Sequence, residues 1–256
     1  MASHAVAFVT GASQGIGRAI ALRLARDGFN IAINDVAARK ERLDVLSQEI
    51  AEKGQKTCVL VGDVSVEADV EGMINDVAGR MGRLDVMVAN AGVIVTKPIL
   101  ETTVVDWDRI FSVNARGTFL CYKYAGRQMI KQGQGGRIVG ASSIAGKQGE
   151  PFLSAYTSTK FAVRGLTQTA AREFGPHGIT VNAYSPGPVD TPMVRSLGEA
   201  LGDKKQFFEE ENVNKVPLNY QGTPTDVASI VSYLASPESR FITGQSISVN
   251  GGRYFD

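Results

Sequence analysis

The chain has 256 residues, 43% of them hydrophobic, with 28 glycines and 9 prolines, which excludes a disordered or collagen-like protein and fits an ordinary globular one. Its 27 Lys and Arg nearly cancel its 26 Asp and Glu, so no global field draws it to nucleic acid or an anionic membrane, and a small-molecule partner is expected. The start of the chain lacks a basic region followed by an apolar run, and no stretch reaches the ~18 apolar residues of a membrane helix, so a cytoplasmic location is expected.

Short β-branched or apolar runs predict strands at 6–9, 30–34, 57–61, 86–89, 137–140, 179–182 and 246–249. Several are apolar almost throughout, the pattern of parallel strands covered on both faces. Between them, apolar residues recur three and four apart, as at Ile16, Ile20 and Leu24 and then Leu43, Leu46 and Ile50, which predicts amphipathic helices. Gly28, Gly54 and Gly82 supply stop signals after the first three. Alternating strand and helix gives right-handed crossovers and therefore an α/β fold, an open, doubly wound parallel sheet of about seven strands with helices on both faces. No linker or repeat interrupts it, so a single domain is expected over 1–256. The rhythm breaks at about 188–222, where Pro188, Pro192 and Pro217 accompany a charged run at 203–211. This segment follows the C-terminal end of a strand, the side on which such sheets bind ligands. It is read as a substrate lid, with a plain surface excursion as the alternative.

The first strand runs into Thr10-Gly11-Ala12-Ser13-Gln14-Gly15-Ile16-Gly17 and then a helix. Missing side chains at Gly11, Gly15 and Gly17 let the chain turn tightly, let backbone N–H groups approach a pyrophosphate and let the helix pack on the strand. The helix N-terminus adds partial positive charge. A purely structural turn can carry the same glycines. Asp35 ends the second strand, where its carboxylate can accept from adenine-ribose hydroxyls and repel a 2′-phosphate, and Gln14 offers that phosphate no cation. NAD(H) is therefore expected over NADP(H). Asp35 could instead cap the following helix, and Arg39 and Lys40 keep NADP(H) open. His4 and His177 lie far apart without a Cys/His cluster, so no metal is expected, and Cys58 and Cys121 read as buried thiols with a bridge as the alternative.

Further motifs follow in order: Gly62-Asp63-Val64, Asn90-Ala91-Gly92, Asn114 in a long helix, Ser142-Ser143, Tyr156 four residues before Lys160, Ser185-Pro186-Gly187, and Val249-Asn250-Gly251-Gly252. With the glycine turn, this ordered set resembles the short-chain dehydrogenase/reductase family over essentially the whole chain. The resemblance implies a Rossmann-type fold, a homotetramer, and hydride transfer between nicotinamide and a secondary alcohol or ketone. It further implies that Ser13, Gln14 and Ile16 join the glycines in holding the cofactor and that Asp63 and Val64 hold the adenine. Asn90, Ala91 and Gly92 would follow the ribose and pyrophosphate, and Pro186, Gly187, Val189 and Thr191 would line the nicotinamide. Two positions depart from the family pattern: Ala89 stands where an asparagine is common, and Asn250 where an aspartate is usual.

Reducing a ketone builds negative charge on its oxygen, and an acid must supply a proton. Tyr156 can do this if something stabilises its phenolate, because free tyrosine ionises near pH ~10. Lys160 shares its helix face and would lower the phenol's pKa while also holding the ribose. Ser143 would donate to the substrate oxygen in the manner of an oxyanion hole, and the resemblance adds Asn114 holding a water behind Lys160. Singly, a Tyr/Lys pair suits a solvated helix and a serine pair suits a cap; jointly, after a nucleotide turn, they point to catalysis. The stretches 161–172, 233–237 and 243–246 resemble acetoin (diacetyl) reductases and 2,3-butanediol dehydrogenases within the family, implying a small hydroxy-ketone, diol, polyol or sugar. Candidate substrate contacts are Ser143, Ala145, Gln148, Phe152, Tyr156, Tyr184 and Met193, the last within a lid reaching Phe208. Competing readings are an NADP(H)-dependent reductase of bulkier ketones and a non-catalytic NAD(H)-binding sensor or scaffold.

Overall fold

The computed structural model describes residues 5–200 and 213–255. Every predicted strand is present: β1 (Val6–Thr10), β2 (Asn30–Asp35), β3 (Thr57–Val61), β4 (Val86–Ala89), β5 (Gly136–Ala141), β6 (Ile179–Pro186) and β7 (Ser246–Val249). They form one sheet in the order β3-β2-β1-β4-β5-β6-β7, parallel throughout. β1 and β6 are buried at every residue; β1 is accordingly apolar from Val6 to Val9, whereas β6 buries Thr180, Asn182 and Ser185 among its apolar residues.

The helices are α1 (Gly15–Arg26), α2 (Lys40–Ala51), α3 (Glu67–Met81), α4 (Val104–Phe111), α5 (Gly117–Gln132), α6 (Ser154–Phe174), α7 (Pro192–Ala200) and α8 (Pro224–Ala235). On one face of the sheet, Ile20 and Leu24 of α1, Leu46 and Ile50 of α2 and Val231 of α8 close a core over Val9, Ile33 and Val88. On the other, Val70 and Ile74 of α3, Leu120 and Ala125 of α5 and Ala170 of α6 pack on Phe8, Met87 and Ile138. Cys58 and Cys121 both lie in this second core as free thiols. Burial pushes both thiols up, Cys121 to about 12, so they pack as small apolar groups. Gly82 ends α3 with φ +86°, a left-handed geometry that its lack of a Cβ permits.

Two features sharpen the sequence reading. The helix expected around Asn114 is not uniform, because a π-helical turn at Ser112–Arg116 separates α4 from α5 and places Asn114 in the bulge. The ends of the 188–222 segment meet, since Val189 and Gly222 form an isolated parallel bridge in which Asp190 N donates to Gly222 O at 2.9 Å and Gly222 N to Pro188 O at 3.1 Å. The charged run at 203–211 and Phe208 lie outside the described residues. Asn250 closes its own turn, accepting from Gly252 N and donating to Tyr254 O, each at 2.9 Å.

α8 begins with Pro224 and a reciprocal capping box: Asp226 N donates to Thr223 Oγ1 at 3.3 Å and Thr223 N to the Asp226 carboxylate at 2.7 Å. Thr223→Ala is expected to lower stability by about 1 kcal/mol in urea unfolding; an unchanged midpoint and slope would show that the cap contributes nothing.

Candidate active site

A cleft of about 570 Å³ opens where strand order reverses between β1 and β4, bounded by the loops that leave the C-terminal ends of the strands. The glycine turn after β1 forms one wall. A Cβ on Gly17 would stand 2.3 Å from Gly11 O and 2.5 Å from Asn90 Nδ2, and one on Gly11 would stand 2.8 Å from Ala91 Cα, so neither position admits a side chain. The first turn of α1 has no side-chain cap, leaving its N–H groups toward the cleft, and Ser13 is 4% exposed with no partner for its Oγ. Uncapped N–H groups, a buried orphan hydroxyl and a cradle closed to any Cβ suit the phosphates of a nucleotide. Gln14, Gly15 and Ile16 complete this wall.

Asp35 lies beside the turn, accepting from Ser13 N at 3.3 Å and from Val36 N at 2.9 Å. Its carboxylate thus pins the glycine turn, and it does not cap the following helix, whose first turn has no side-chain cap. Arg39 lines the cleft next to it, whereas Lys40 points away into an ion pair with Asp44 at 2.6 Å. Gln14 accepts from Arg42 at 2.5 Å. Asp63 and Val64 line the same end, and Asp63 also accepts from Ser65 N at 2.8 Å.

At the other end, β5 delivers Ser142 and Ser143 against Tyr156 and Lys160 of α6. The Ser143 hydroxyl lines the cleft with the Tyr156 phenol and accepts from Ala145 N at 3.1 Å. Lys160 is 4% exposed; its Nζ donates to Ala141 O at 2.8 Å and sits 5.2 Å from the Tyr156 ring centroid. Ser142 donates to Lys160 O at 3.1 Å, tying strand end to helix. Asn114 clamps the loop after β4, accepting from Val93 N at 2.8 Å while donating to Val93 O at 2.9 Å and Thr159 Oγ1 at 3.3 Å. Gly92 lies beside both groups, where a Cβ would stand in ordinary contact, 3.4 Å from Asn114 Oδ1 and 3.7 Å from Lys160 Nζ.

Two expectations need correction. The Tyr156 pKa is not lowered in the protein alone: burial pushes it up to about 12 against the opposing Ser143 hydrogen bond, and Lys160 is directed to the Ala141 carbonyl instead. Both amide hydrogens of Asn114 are taken by Val93 and Thr159, so its side chain acts as a clamp on this loop and any water is left to its oxygens. Ala145, Gln148 and Phe152 do not line the cleft. The tight turn Ile144–Gly146 buries Ala145, Gln148 bonds Glu150 at 2.8 Å, and Phe152 is 59% exposed at φ +65° with its carbonyl held by Lys97 N.

Tyr184, Pro186, Gly187, Val189, Thr191 and Met193 do line the cleft, although Tyr184 gives its hydroxyl to Asn90 at 2.8 Å. Residues missed in the sequence include Asn34, Val93, Arg109 and Val113. Val93 and Val113 directly follow and precede assigned motif residues, a proximity that could have flagged them. Asn34 bridges Leu60 O at 3.2 Å and Gly62 O at 3.0 Å, a contact between strands that no local pattern announces.

A family model described as enoyl-(acyl carrier protein) reductase matches residues 11–253. A short-chain dehydrogenase/reductase of Armillaria gallica is 55% identical over 98% of this chain and 96% of its own length. L-2,3-butanediol dehydrogenase of Corynebacterium glutamicum is 42% identical, covering 98% of this chain and 99% of that protein. The structure of acetoin dehydrogenase from Enterobacter cloacae matches with a TM-score of 0.87 at 35% identity, over 99% of this chain and 96% of that one. The chain belongs to the short-chain dehydrogenase/reductase family. It is an oxidoreductase of alcohol and ketone groups in a family that uses nicotinamide cofactors.

Burial holds Lys160 down to about 8 from 10.5, so between those values the folded protein binds fewer protons than the unfolded chain, and stability on its account rises with pH. Below about 8 the buried charge opposes folding in full. Lys160→Met is therefore expected to stabilise the unliganded protein at pH ~7 by on the order of 1–2 kcal/mol after losing the Ala141 hydrogen bond, with the advantage shrinking toward pH ~10. Urea unfolding at both pH values checks this; a destabilised variant at neutral pH would show that the hydrogen bond outweighs desolvation.

Proposed function

We propose that this protein is an NAD(H)-dependent oxidoreductase interconverting a small uncharged secondary alcohol and its ketone, of the hydroxy-ketone, diol, polyol or sugar type. The observation that carries this is the Tyr156 phenol, sharing the cleft wall with Ser143 and flanked by Lys160, at one end of a cleft whose other end holds Asp35. Among the charged residues of the cleft, Asp35 ends β2, Arg39 and Asp63 follow β2 and β3, Arg109 reaches in from α4, and Lys160 is tied to Ala141 O. Val93, Met193 and Val194 offer apolar wall, which supports an uncharged substrate. The butanediol and acetoin dehydrogenases among its relatives agree with this class.

When bound, the nicotinamide supplies or accepts the hydride. Tyr156 gives its proton to the ketone oxygen during reduction and takes one from the alcohol during oxidation. Ser143, on the same cleft wall, donates to the same oxygen and holds it within reach of Tyr156. Lys160 lies close enough to the ring to stabilise a phenolate once its ammonium leaves the Ala141 carbonyl for a ligand hydroxyl. Asn114 keeps the Val93 backbone as a fixed back wall. The 188–222 segment acts as the lid, anchored by the Val189–Gly222 bridge and presenting Met193 and Val194. Among the described residues no helix is long and apolar enough to cross a membrane. A homotetramer and a cytoplasmic location belong to the same reading, supported by family membership.

The second reading, NADP(H) dependence, has a specific basis in Arg39 at the cleft and Arg42 on Gln14. Asp35 favours NAD(H), since a 2′-phosphate would approach a carboxylate already fixed by two N–H groups. The sensor reading leaves the joined Ser143, Tyr156 and Lys160 without a purpose.

Tyr156→Phe is expected to lower NADH-dependent reduction of acetoin, diacetyl or keto-sugars by about 10²–10⁴-fold, with NADH still binding in a fluorescence titration. Retained turnover would remove Tyr156 from the chemistry. Asp35→Ala is expected to narrow the ratio of NADH to NADPH kcat/KM by about tenfold or more, on the order of 1.4 kcal/mol; an unchanged ratio would show that another group selects the cofactor.

A further inference from the structure

Tyr184 does something that no motif assigns. It is 1% exposed on β6, and its ring lies in the core on the α1 side of the sheet, the side shared by its register neighbour Ala141 on β5. The small Ala141 side chain leaves room for the ring, and the phenol oxygen crosses the width of β5 to reach Asn90 at the end of β4. There it donates to Asn90 Oδ1 at 2.8 Å. The other end of the same amide is equally engaged: Asn90 Nδ2 donates to Thr10 O at 2.8 Å and Gly11 O at 3.1 Å. Asn90 N in turn donates to Thr10 Oγ1 at 3.1 Å.

This set of partners permits one amide orientation. Turned over, the amide would set its oxygen against two carbonyl oxygens that cannot donate. Burial raises the Tyr184 phenol above the ordinary range, so it remains a donor across working pH. The amide so fixed is the surface against which the glycine turn is moulded, since Asn90 Nδ2 is the atom a Cβ on Gly17 would strike. Tyr184 also anchors the other side of the cleft, because Ser142 N donates to its carbonyl at 2.9 Å and the Ser185-Pro186-Gly187 segment follows it directly.

We propose that Tyr184 is a positioning residue: a strut from β6 that locks Asn90 and, through it, holds the glycine turn in the shape that receives a dinucleotide's pyrophosphate. The proposal rests on the dinucleotide reading above. It moves Tyr184 from the substrate wall, where the sequence suggested it, to the floor of the cofactor half.

The test is Tyr184→Phe, which keeps the ring and removes the donor. Loss of a donor that leaves a partly buried acceptor unpaired is expected to raise the Kd and KM for NADH about tenfold, with kcat and the KM for acetoin within about twofold. ADP-ribose, which has the pyrophosphate but no nicotinamide, should weaken by the same factor and so place the effect at the turn. In an Asn90→Ala background the Tyr184→Phe change should add less than about twofold. Unaltered NADH and ADP-ribose affinity overturns the strut, as does a rise in acetoin KM alone. Should Tyr184→Phe not fold, Asn90→Ala by itself must weaken both nucleotides, and wild-type affinity there overturns the proposal. A wild-type protein that binds neither NADH nor NADPH overturns the dinucleotide reading first and the strut with it.

Discussion

The rest of the structure depends on the handedness of the strand crossovers. Right-handed connections place α1 and α2 on one face while the chain builds β1, β2 and β3 outward in one direction. Once α3 carries the chain back past β1 to β4, the same handedness sends α3, α5 and α6 to the opposite face. The loops after β1 and β4 therefore part instead of crossing, and a crevice is left that no helix covers. The glycine turn, Asn90, Ser143 and the segment after Pro186 all leave strand ends on this side, so residues distant along the chain meet there.

Within the crevice, polar groups are buried without the full complement of partners that stability alone would favour. Lys160 is buried against the Ala141 carbonyl, Tyr156 sits where burial resists ionisation, and Ser13 keeps an orphan hydroxyl. The two apolar cores on either side of the sheet offset these costs. The polar groups that are satisfied serve to hold others in place. Asp35 pins the turn, Asn114 pins Val93, Ser142 pins the backbone of Lys160, and Tyr184 pins Asn90. Such second contacts fix where a ligand's atoms can sit before the ligand arrives.

The glycine turn, the strand-end Asp35 and the pairing of Tyr156 with Lys160 could be read from the chain because each depends on local geometry. Three glycines within one turn, a carboxylate at a strand end and two residues on one helix face keep those relations in almost any α/β context. The parallel sheet was legible for the same reason, since several strands covered on both faces are apolar almost throughout. Ala145, Gln148 and Phe152 were misplaced because the direction of a short loop is set by its tight turn at Ile144–Gly146 and by the Lys97–Phe152 backbone bond, and neither is written in residue types. The π turn at Asn114 was invisible for a like reason, as one extra residue per turn leaves the helical pattern nearly unaltered.

By itself, then, the sequence determined the class of fold, the family and the residues able to carry acid–base and nucleotide chemistry, because those follow from periodicity and from motifs whose spacing is local. Only the tertiary structure decided what those residues face. Lys160 turns to a carbonyl, Asn114 clamps a loop and Tyr184 reaches across a strand to an amide. Each of these contacts joins side chains that the sheet brings together from separate strands and helices, and local spacing carries no record of such distances.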